Sequence, residues 1–404
     1  MKPFFCALMA CSLFACNNPV SKSDNAMSIS SADSIHAAGS FSHDVQFLQK
    51  HKNIVVLQQN NMRVLIVPGF QARVMTSSAG GDSGLSYGWI NYSLIDSGKL
   101  VPHMNAFGGE ERFWLGPEGG QYALFFKKGD PFDFTHWQTP AVIDTVTYDL
   151  VSKNEQEAVF TKSFNLENYT GTLFSVTVNR RIQLLEESRA EALLGVSLKG
   201  LKWVGYQSTN ELKNTGAADW SADKGLLSIW LLSMMRSSPS STIIVPYKTG
   251  GADAVNDAYF GKIPAERLRK KDNFLLLTAD AKYRGKIGIP PSIVKPIAGS
   301  YDSAKQVLTI IQFDYKGDTS YVNSMWAQQP FPYKGDVINA YNDGPNATGS
   351  QLGAFYELET SSPAVALKKN QSVTHTQRIF HVEGDKELLN KIARQLLGAD
   401  LGQL

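Results

Sequence analysis

Short β-type segments follow one another along most of this chain. From about Asn53 to Glu383, segments such as "RVLIVP", "LFSVTVNRRIQLL", "STIIVPY" and "QVLTIIQFDY" are rich in Val, Ile, Thr and aromatic residues. Gly, Asn, Asp and Pro separate them, which is typical of the turns between strands. So many antiparallel strands need two extensive sheets packed face to face, because one open sheet would leave an apolar face uncovered. We therefore predict an all-β fold, a large two-sheet antiparallel β-sandwich.

Helical periodicity is clear only at the end of the chain. The segment "DKELLNKIARQLLG" begins with a capping aspartate, repeats Leu and Ile at helical spacing and ends in glycine, which predicts a C-terminal helix over residues 385–398. A shorter helix is predicted in "SFSHDVQFLQKH", capped near Ser42. Its expected buried positions are Val45, Phe47 and Leu48.

The amino terminus has the features of a bacterial secretory signal. Residues 1–15 carry one positive charge, Lys2, and then an apolar stretch too short to span a bilayer. The following "LFAC" is similar to a lipobox, in which the thiol of Cys16 would receive a diacylglycerol group. We expect a lipid-anchored envelope protein, held to the membrane by that lipid alone. The alternative is a plain signal peptide with an incidental cysteine. No acidic run follows Cys16, which favours an anchor facing the periplasm.

Composition then limits the rest of the chain. Residues 16–39 are rich in Ser, Ala, Asn and Asp, which predicts a flexible tether. No internal repeat or mid-chain linker follows, so residues 40–404 are predicted to form a single β-sandwich domain. Cys6 and Cys11 lie in the signal, so no disulfide, cysteine nucleophile or cysteine zinc site is expected. A net charge of +2 gives no electrostatic case for nucleic acid. We expect neither a metal nor a cofactor.

One segment, "FGGEERFWLGPEGGQYALFF", combines charged and aromatic residues between two glycine pairs. If it is extended, alternate side chains face opposite ways. Glu110, Arg112, Trp114 and, if Pro117 does not turn the chain, Glu118 then share one face. An indole packs on the apolar face of a sugar, while a carboxylate and a guanidinium bind its hydroxyls. We expect an open sugar-binding face; the alternative is a solvent-facing salt bridge beside a half-buried tryptophan.

A second group lies near the end of the chain. In "GAFYELETSSP", Glu357 and Glu359 share one strand face, roughly 7 Å apart by backbone geometry. Where two such carboxylates are poorly solvated, ionisation of one raises the pKa of the other, which suits one of them to proton transfer. In "VTHTQRIFHVEG", His375, Gln377 and His381 also share a face. The alternative for each histidine is a structural role.

Two further segments contribute side chains. The segment "GDVINAYNDGP" is dense in Asp and Asn, and we interpret Asn342 and Asp343 as partners of nearby backbone, whereas Asn339 is left open as a ligand-binding residue. The segment "NELKNTG" supplies Asn214. The apolar "GLLSIWLL" is predicted to be a buried strand rather than a membrane segment.

The segments "GGEERFWLGPEGGQ" and "YELETSSP" make the chain resemble exported Bacteroidota lipoproteins of unassigned function, over nearly all of its length after the signal. Those proteins are similar to the galactose mutarotase-like group, whose fold is a large two-sheet β-sandwich with a carbohydrate site on one concave face. In aldose epimerases of this group a late strand carries "LET", and its glutamate is the catalytic base. Leu358, Glu359 and Thr360 match that motif in letters and position.

The chain also departs from the epimerase pattern. Those enzymes use a histidine in an "HTYFN"-like segment as the general acid, whereas the nearest counterpart here has Asn214 and no histidine. Their early arginine segment is matched only loosely, by Arg112. Opening a hemiacetal needs one group to take the anomeric proton and another to protonate the ring oxygen. A histidine or the second glutamate would have to supply the missing acid.

Two classes of function therefore stay open. The first is an enzyme on a sugar, either an epimerase or a hydrolase or lyase that uses paired carboxylates such as Glu118 and Glu359. The second is a binding lipoprotein that holds glycans and performs no chemistry. A ligand-free scaffold remains if the Trp114 face is covered. The predicted catalytic residues are Glu359, Glu357 and His375, and the predicted carbohydrate-binding residues are Glu110, Arg112, Trp114, Glu118, Asn214, Asn339 and His381.

Overall fold

A computed structural model describes residues 37–346 and 348–404. The predicted signal, Cys16 and nearly all of the predicted tether lie outside the described residues. Within the described residues, helices are few and strands dominate. The helices are α1 (Phe41–His51), α2 (Tyr92–Ser97), α3 (Glu187–Leu194) and α4 (Lys386–Leu397).

The strands run from near the first described residues almost to α4. They are β1 (Val55–Gln59), β2 (Met62–Val67), β3 (Arg73–Ser78), β4 (Arg112–Gly116), β5 (Asp149–Lys153), β6 (Glu157–Glu167), β7 (Leu173–Leu184), β8 (Lys202–Asn214), β9 (Ser228–Arg236), β10 (Ser241–Pro246), β11 (Leu268–Lys270), β12 (Phe274–Thr278), β13 (Gly285–Ile289), β14 (Ile297–Asp302), β15 (Val307–Phe313), β16 (Ile338–Asn342), β17 (Phe355–Ser361) and β18 (Ser372–Glu383).

The strands form one large, one medium and one small antiparallel sheet. The large sheet has ten strands in the order β11-β12-β10-β14-β15-β18-β8-β7-β6-β5. The medium sheet has five, in the order β13-β16-β17-β9-β4, and β1-β2-β3 form the small sheet. The two larger sheets pack face to face, as hydrogen bonds between Thr360 of β17 and both His375 and Gln377 of β18 show. The predicted all-β antiparallel sandwich is confirmed.

Two faces of the five-stranded sheet differ in surroundings. The inner face carries side chains such as Leu231 and Leu358, which belong to the main apolar core, and this face meets the ten-stranded sheet. The outer face carries the alternate side chains of each strand, including those of Arg112 and Glu359. Because cross-strand partners share a face, the strand register decides which side chains meet on it.

Helix α4 confirms the predicted C-terminal helix. Asp385 caps its start by accepting a hydrogen bond from the backbone N–H of Glu387, and Gly398 ends it in the left-handed region with φ of 71°. Its apolar residues Leu389, Ile392 and Leu397 pack with Phe380 of β18 in a second core. The helix therefore covers the far side of the ten-stranded sheet, away from the five-stranded sheet.

The amino-terminal helix is predicted correctly in place but not in its cap. Helix α1 begins after Ser40, whose side chain accepts a hydrogen bond from the backbone N–H of His43, so the predicted cap near Ser42 is wrong by two residues. Leu48 is buried, and Val45 and Phe47 pack against the same apolar cluster. Helices α2 and α3 were not predicted. In the described part of the chain, no helix combines the length and apolarity needed to cross a bilayer.

Candidate active site

The register of the five-stranded sheet gathers charged residues on its outer face. Arg112 of β4 is opposite Leu232 of β9, which is opposite Glu359 of β17. Glu357, two residues before Glu359, is opposite Tyr341 of β16, and Tyr341 is opposite Lys286 of β13. Four residues from three strands, here called the acid–base cluster, therefore share one face. They are Arg112, Lys286, Glu357 and Glu359.

Each glutamate of the acid–base cluster has its own cation. Arg112 Nη2 lies 2.9 Å from Glu357 Oε1, and Lys286 Nζ lies 2.9 Å from Glu359 Oε2. The indole Nε1 of Trp230 also donates to Glu359 Oε2, at 2.9 Å. The Glu359 side chain is fully buried, whereas the side chains of Glu357 and Lys286 are 9% and 11% exposed. The cluster is thus nearly dry, with its remaining access to water at Glu357 and Lys286.

Aromatic rings hold both cations in place. The Arg112 guanidinium lies 4.1 Å from the centre of a Trp114 ring, and Lys286 Nζ lies 4.9 Å from Trp230 and 5.6 Å from Tyr259. Such cation–π contacts are worth more where water is excluded. The rings therefore fix the positions of the two charges that face the glutamates.

Burial and neighbouring charges shift the pKa values of this site. Burial raises the pKa of Glu357 to about 7; Arg112 and Lys286 oppose that increase, while Glu359 and Asp343 add to it. Burial alone would lower the pKa of Lys286, but Glu359 and Glu118 outweigh it, so the pKa is raised and the ammonium keeps its proton. The Glu357 carboxyl therefore exchanges its proton near neutral pH.

Glu118 approaches the cluster from the loop after β4. Strand β4 ends at Gly116, so Glu118 reaches the site from a turn rather than by strand parity. Burial raises its pKa; Lys286 lowers the pKa, Glu359 raises it, and the indole N–H of Trp326 lowers it. Glu118 is partly exposed. This carboxyl is therefore close enough to Lys286 and Glu359 to interact with their charges.

Asn339 borders the cluster on the β16 side. It is opposite Glu359 in the register, and its Nδ2 donates to the Tyr259 hydroxyl and to the Ile287 carbonyl, both at 3.1 Å. The Tyr259 hydroxyl in turn donates to Asp336. Burial raises the pKa of Tyr259 well above its usual value, and the Asp336 carboxylate adds to this shift. The hydroxyl is therefore a hydrogen-bond donor rather than a base at neutral pH.

Several polar atoms on this face have no hydrogen-bond partner among the described residues, although they are buried. They are Glu359 Oε1, Arg112 Nε and Trp114 Nε1. Buried polar groups are nearly always paired, and an unpaired one costs roughly 1–3 kcal/mol. One acceptor and two donors left unpaired in one site are what a bound polar molecule with hydroxyl groups would satisfy.

The parity predicted for the segment "FGGEERFWLGPEGGQYALFF" is correct in part. Arg112 and Trp114 do share a face, but the expectation that this face is open is wrong, because Trp114 is only 3% exposed. Its ring packs against Phe125 at 5.2 Å and Trp230 at 5.5 Å between centroids. Phe125 comes from the loop after β4, so this chain covers its own indole. Trp114 is a wall of the site and not an exposed sugar platform.

Glu110 and His381 are brought together elsewhere. His381 Nε2 lies 2.9 Å from Glu110 Oε1, and His381 Nδ1 lies 2.8 Å from Thr309 Oγ1. This pair lies between the two larger sheets, because Thr309 belongs to β15 of the ten-stranded sheet. Glu110 lies two residues before β4 begins at Arg112, so strict alternation does not extend back to it. The structure does not bring Glu110 or His381 to the acid–base cluster.

His375 and Asn214 also lie away from the cluster. His375 Nε2 contacts Thr360 Oγ1 at 2.7 Å, on the inner face of the sheet whose outer face carries Glu359. Burial lowers the pKa of His375 to about 4, so the ring is neutral at pH 7. The Asn214 amide donates to the carbonyls of Ala218 and Leu367, closing a turn at the end of β8. Neither residue can reach a sugar held by Glu357 and Glu359.

Asn342 and Asp343 do bond to the backbone, as interpreted, but the partners Ala281 and Gly353 do not belong to their own turn. Asn342 accepts from the backbone N–H of Ala281 and donates to the Tyr283 carbonyl. Asp343 accepts from the backbone N–H of Gly353 and also from the Tyr341 hydroxyl. Both residues therefore join loops to the sheet beside the site.

Sequence reasoning did not find three contributors to the site. Lys286 is one charged residue in the short segment "GKIGI", and only its parity opposite to the apolar Ile287 and Ile289 distinguishes it. Trp230 was predicted to be a buried strand residue, which is correct, but its indole N–H bond to Glu359 was not foreseen. Tyr259 lies in an irregular loop that carries no periodic signal.

The acid–base cluster lies apart from two cavities of the structure. One of them, with a volume of about 460 Å³, is lined by residues that include Tyr87, Arg236, Tyr356 and His381. None of its lining residues belongs to the acid–base cluster. We place the candidate active site at the cluster, because it combines paired acids, a group with a pKa near 7 and unpaired buried polar atoms. No group of three or more potential metal ligands occurs in residues 37–346 and 348–404.

Comparisons with known proteins place the chain in a family. A search of curated proteins gives no match. Among solved structures, the chain is similar to a galactose mutarotase-like protein from Lactobacillus casei ATCC 334, with 11% identity and a TM-score of 0.49 over 81% of this chain and 100% of that chain. It is also similar to a galactose mutarotase related enzyme from Lactobacillus acidophilus, with 7% identity and a TM-score of 0.46 over 81% of this chain and 97% of that chain. A family model matches residues 39–404, and the chain therefore belongs to DUF6786, a family of unknown function.

Proposed function

We propose that this protein binds an aldose at the acid–base cluster and interconverts its anomers. One observation carries the proposal: Glu359 is fully buried, is held by Lys286 and Trp230 through Oε2, and keeps Oε1 without a partner. A fixed carboxylate oxygen with no partner is suited to accept a proton or a hydroxyl hydrogen bond from a ligand. The match of "LET" at Leu358, Glu359 and Thr360 supports the same role for Glu359.

The reaction divides between the two glutamates. Glu359 takes the proton of the anomeric hydroxyl while Glu357, protonated, gives its proton to the ring oxygen. The bond between the anomeric carbon and the ring oxygen breaks, and the anomeric carbon becomes a carbonyl. After rotation about the adjacent carbon–carbon bond, the ring closes on the other face and both protons return. A pKa of about 7 suits Glu357 to give and regain a proton at neutral pH.

The surrounding residues would hold the sugar. The unpaired Nε atoms of Arg112 and Trp114 are donors for sugar oxygens, and Glu118 borders the more exposed side. Lys286 lies against Glu359, where its positive charge would stabilise negative charge on the oxygen that loses its proton. The cluster is enclosed by Trp114, Trp230 and Tyr259, which favours one sugar unit over a long chain.

A binding protein without chemistry is the second candidate function. The observation that favours it is the absence of the histidine acid from "NELKNTG", together with the Arg112–Glu357 ion pair, which opposes protonation of Glu357. Under this alternative the same cluster would bind sugar hydroxyls and leave the sugar unchanged. A hydrolase or lyase that uses two carboxylates is a further alternative, and it would need room for a glycosidic bond between them.

We further propose that the protein is a lipid-anchored envelope protein facing the periplasm. The signal in residues 1–15 and the lipobox-like "LFAC" support this placement. A site for single sugars would then act on molecules that pass through the envelope. Cys16 is the one cysteine of the sequence at the position where lipid attachment would occur.

The test uses the purified full-length chain in detergent and a panel of aldoses and oligosaccharides. NMR exchange spectroscopy measures how fast each sugar's anomers interconvert, and saturation-transfer NMR measures binding. Faster interconversion of at least one aldose is expected. Binding with no increase in rate would favour the binding protein, and new reducing ends from oligosaccharides would favour a hydrolase. No binding to any sugar would contradict the proposal.

A further inference from the structure

We infer that a buried hydrogen-bonded chain behind the five-stranded sheet positions the acid–base cluster. The positioning network consists of His375, Thr360, Gln377, Glu111 and Arg180. It lies on the inner face of the sheet, opposite the face that carries Glu359 and Arg112. The inference rests on the proposed function only for the reaction that the network serves; the network itself is a feature of the fold.

The network is continuous from β17 to β4. His375 Nε2 and Gln377 Oε1 each lie 2.7 Å from Thr360 Oγ1. Gln377 Nε2 then donates to Glu111 Oε2 at 3.2 Å. Arg180 Nη2 donates to the other oxygen, Glu111 Oε1, at 2.9 Å. Because each link is direct, the chain joins the strand of Glu359 to the residue that precedes Arg112.

The donors and acceptors fix the direction of each hydrogen bond in the positioning network. Glu111 accepts from Arg180 and from the Gln377 amide nitrogen, so the Gln377 oxygen faces Thr360. The single hydroxyl proton of Thr360 is donated to that oxygen. His375 Nε2 must therefore carry a proton and donate to Thr360 Oγ1. Each hydroxyl and amide has one orientation that satisfies the chain, which makes the network rigid.

Both ends of the network adjoin the acid–base cluster. Thr360 follows Glu359 on β17, and Glu111 precedes Arg112 at the start of β4. Successive side chains of a strand point to opposite faces, so fixing Thr360 and Glu111 on the inner face fixes Glu359 and Arg112 on the outer face. Strand β9 lies between β17 and β4, and the network bridges it from behind.

Both glutamates of "GGEER" are hydrogen-bonded to side chains of β18. Glu111 is tied to Gln377 of β18, and Glu110 is tied to His381 of β18. Glu111 and Arg180 are both fully buried and form an ion pair, which Ser208 and Asn210 support with further hydrogen bonds. His375, which the sequence suggested as catalytic, thus acts through the inner face. His375, Thr360, Gln377 and Glu111 are positioning residues under this assignment.

The experiment compares three variants of the full-length chain. Thr360→Val removes the central hydroxyl at nearly constant volume, and Thr360→Ser restores it. Thr376→Val is the matched control, because Thr376 is the neighbouring residue of β18 with the opposite parity, between His375 and Gln377. The first readout is the titration of Glu357, followed by the infrared carbonyl band of the protonated carboxyl and assigned with Glu357→Gln. The second is the anomer exchange rate.

Thr360→Val is expected to shift the Glu357 titration, because Glu357 responds to the positions of Arg112, Glu359, Lys286 and Asp343. It is also expected to lower kcat roughly 10- to 100-fold with little change in KM, the scale expected when a catalytic group is misplaced. Thr360→Ser should recover both values, and Thr376→Val should match the wild type. A folded Thr360→Val variant with the wild-type titration and rate would overturn the inference.

If Thr360→Val does not fold, Gln377→Met takes its place, because it removes both the bond from Thr360 Oγ1 and the bond to Glu111 Oε2. An unchanged Glu357 titration in that variant would then count against the network. If the wild type interconverts no aldose, the proposed function fails, but the Glu357 titration still decides whether the network positions the cluster.

Discussion

Lys286 Nζ lies 2.9 Å from Glu359 Oε2 on the outer face of the five-stranded sheet, and the two residues come from strands that are not neighbours. Strand β16 separates them, so the Lys286 side chain spans β16 diagonally to reach the glutamate. The Glu359 side chain has no exposure to water. A buried charge is retained only when it is paired, so each of these residues depends on the other.

Lys286→Met is therefore expected to destabilise the protein by about 3–5 kcal/mol, because it leaves the Glu359 charge buried without its cation. Urea unfolding followed by tryptophan fluorescence measures the change. The control is Lys305→Met, since the Lys305 side chain is 45% exposed and lies 3.8 Å from Asp302. That surface pair should contribute less than about 1 kcal/mol. Equal effects of the two variants would contradict the importance of the buried pair.

Trp114→Ala is expected to lower the free energy of unfolding by about 3–5 kcal/mol, the usual cost of removing a buried aromatic side chain. The ring is enclosed by Phe125 and Trp230 and also supports Arg112. Leu100→Ala serves as the control, because Leu100 is 66% exposed. A Trp114→Ala variant as stable as this control would restore the sequence-based expectation of an open indole.

Stability is expected to fall as the pH rises from about 4.5 to 7. The folded-state pKa of Glu357 is raised to about 7, so between these values the unfolded chain loses the proton that the folded protein keeps. The contribution of Glu357 is therefore fully present below the unfolded pKa and lost as the pH passes 7. Its full size is on the order of 3 kcal/mol. Unfolding measured at pH 5 and pH 8 should show this loss in the wild type and a smaller one in Glu357→Gln.

The lipid anchor gives a prediction for the amino terminus. Cys16→Ser should release the protein from membranes, because the proposed lipid is its only expected hydrophobic attachment. Cys11→Ser, which changes a cysteine inside the predicted signal, should leave the protein in the membrane fraction. Fractionation after a high-salt wash tests both variants. A Cys16→Ser protein that stays with the membranes would show that another attachment exists.

The fold was predictable because its evidence is local. Strand composition, turn residues and the helical repeat around Leu389 and Ile392 are each contained in a few consecutive residues. Strand parity likewise placed Arg112 with Trp114 and Glu357 with Glu359 on shared faces, as the register shows. These predictions need no knowledge of which strands are neighbours.

Strand alternation predicted which site residues share a face, but not which other parts of the chain meet that face. Whether the Trp114 face is open depends on Phe125, which folds back from a loop and cannot be placed by periodicity. Lys286 joins Glu359 only through the order β13-β16-β17, which no single segment encodes. His375 shares parity with Gln377 as expected, but parity does not say that this face meets Thr360 rather than a ligand. The contacts that were not predicted therefore depend on the long-range order of the strands and on loops that fold back onto them.

The most direct test of the proposed chemistry is the rate of anomer interconversion in Glu359→Gln. The variant keeps the shape of the side chain and removes the carboxylate that is proposed to take the anomeric proton. On an aldose that the wild type converts, we expect the NMR exchange rate to fall about 100-fold or more, with binding of the sugar retained. Asn342→Ala, which alters a loop contact beside the site, provides a comparison for nonspecific loss. An exchange rate in Glu359→Gln equal to that of the wild type would contradict the assignment of Glu359 as the base.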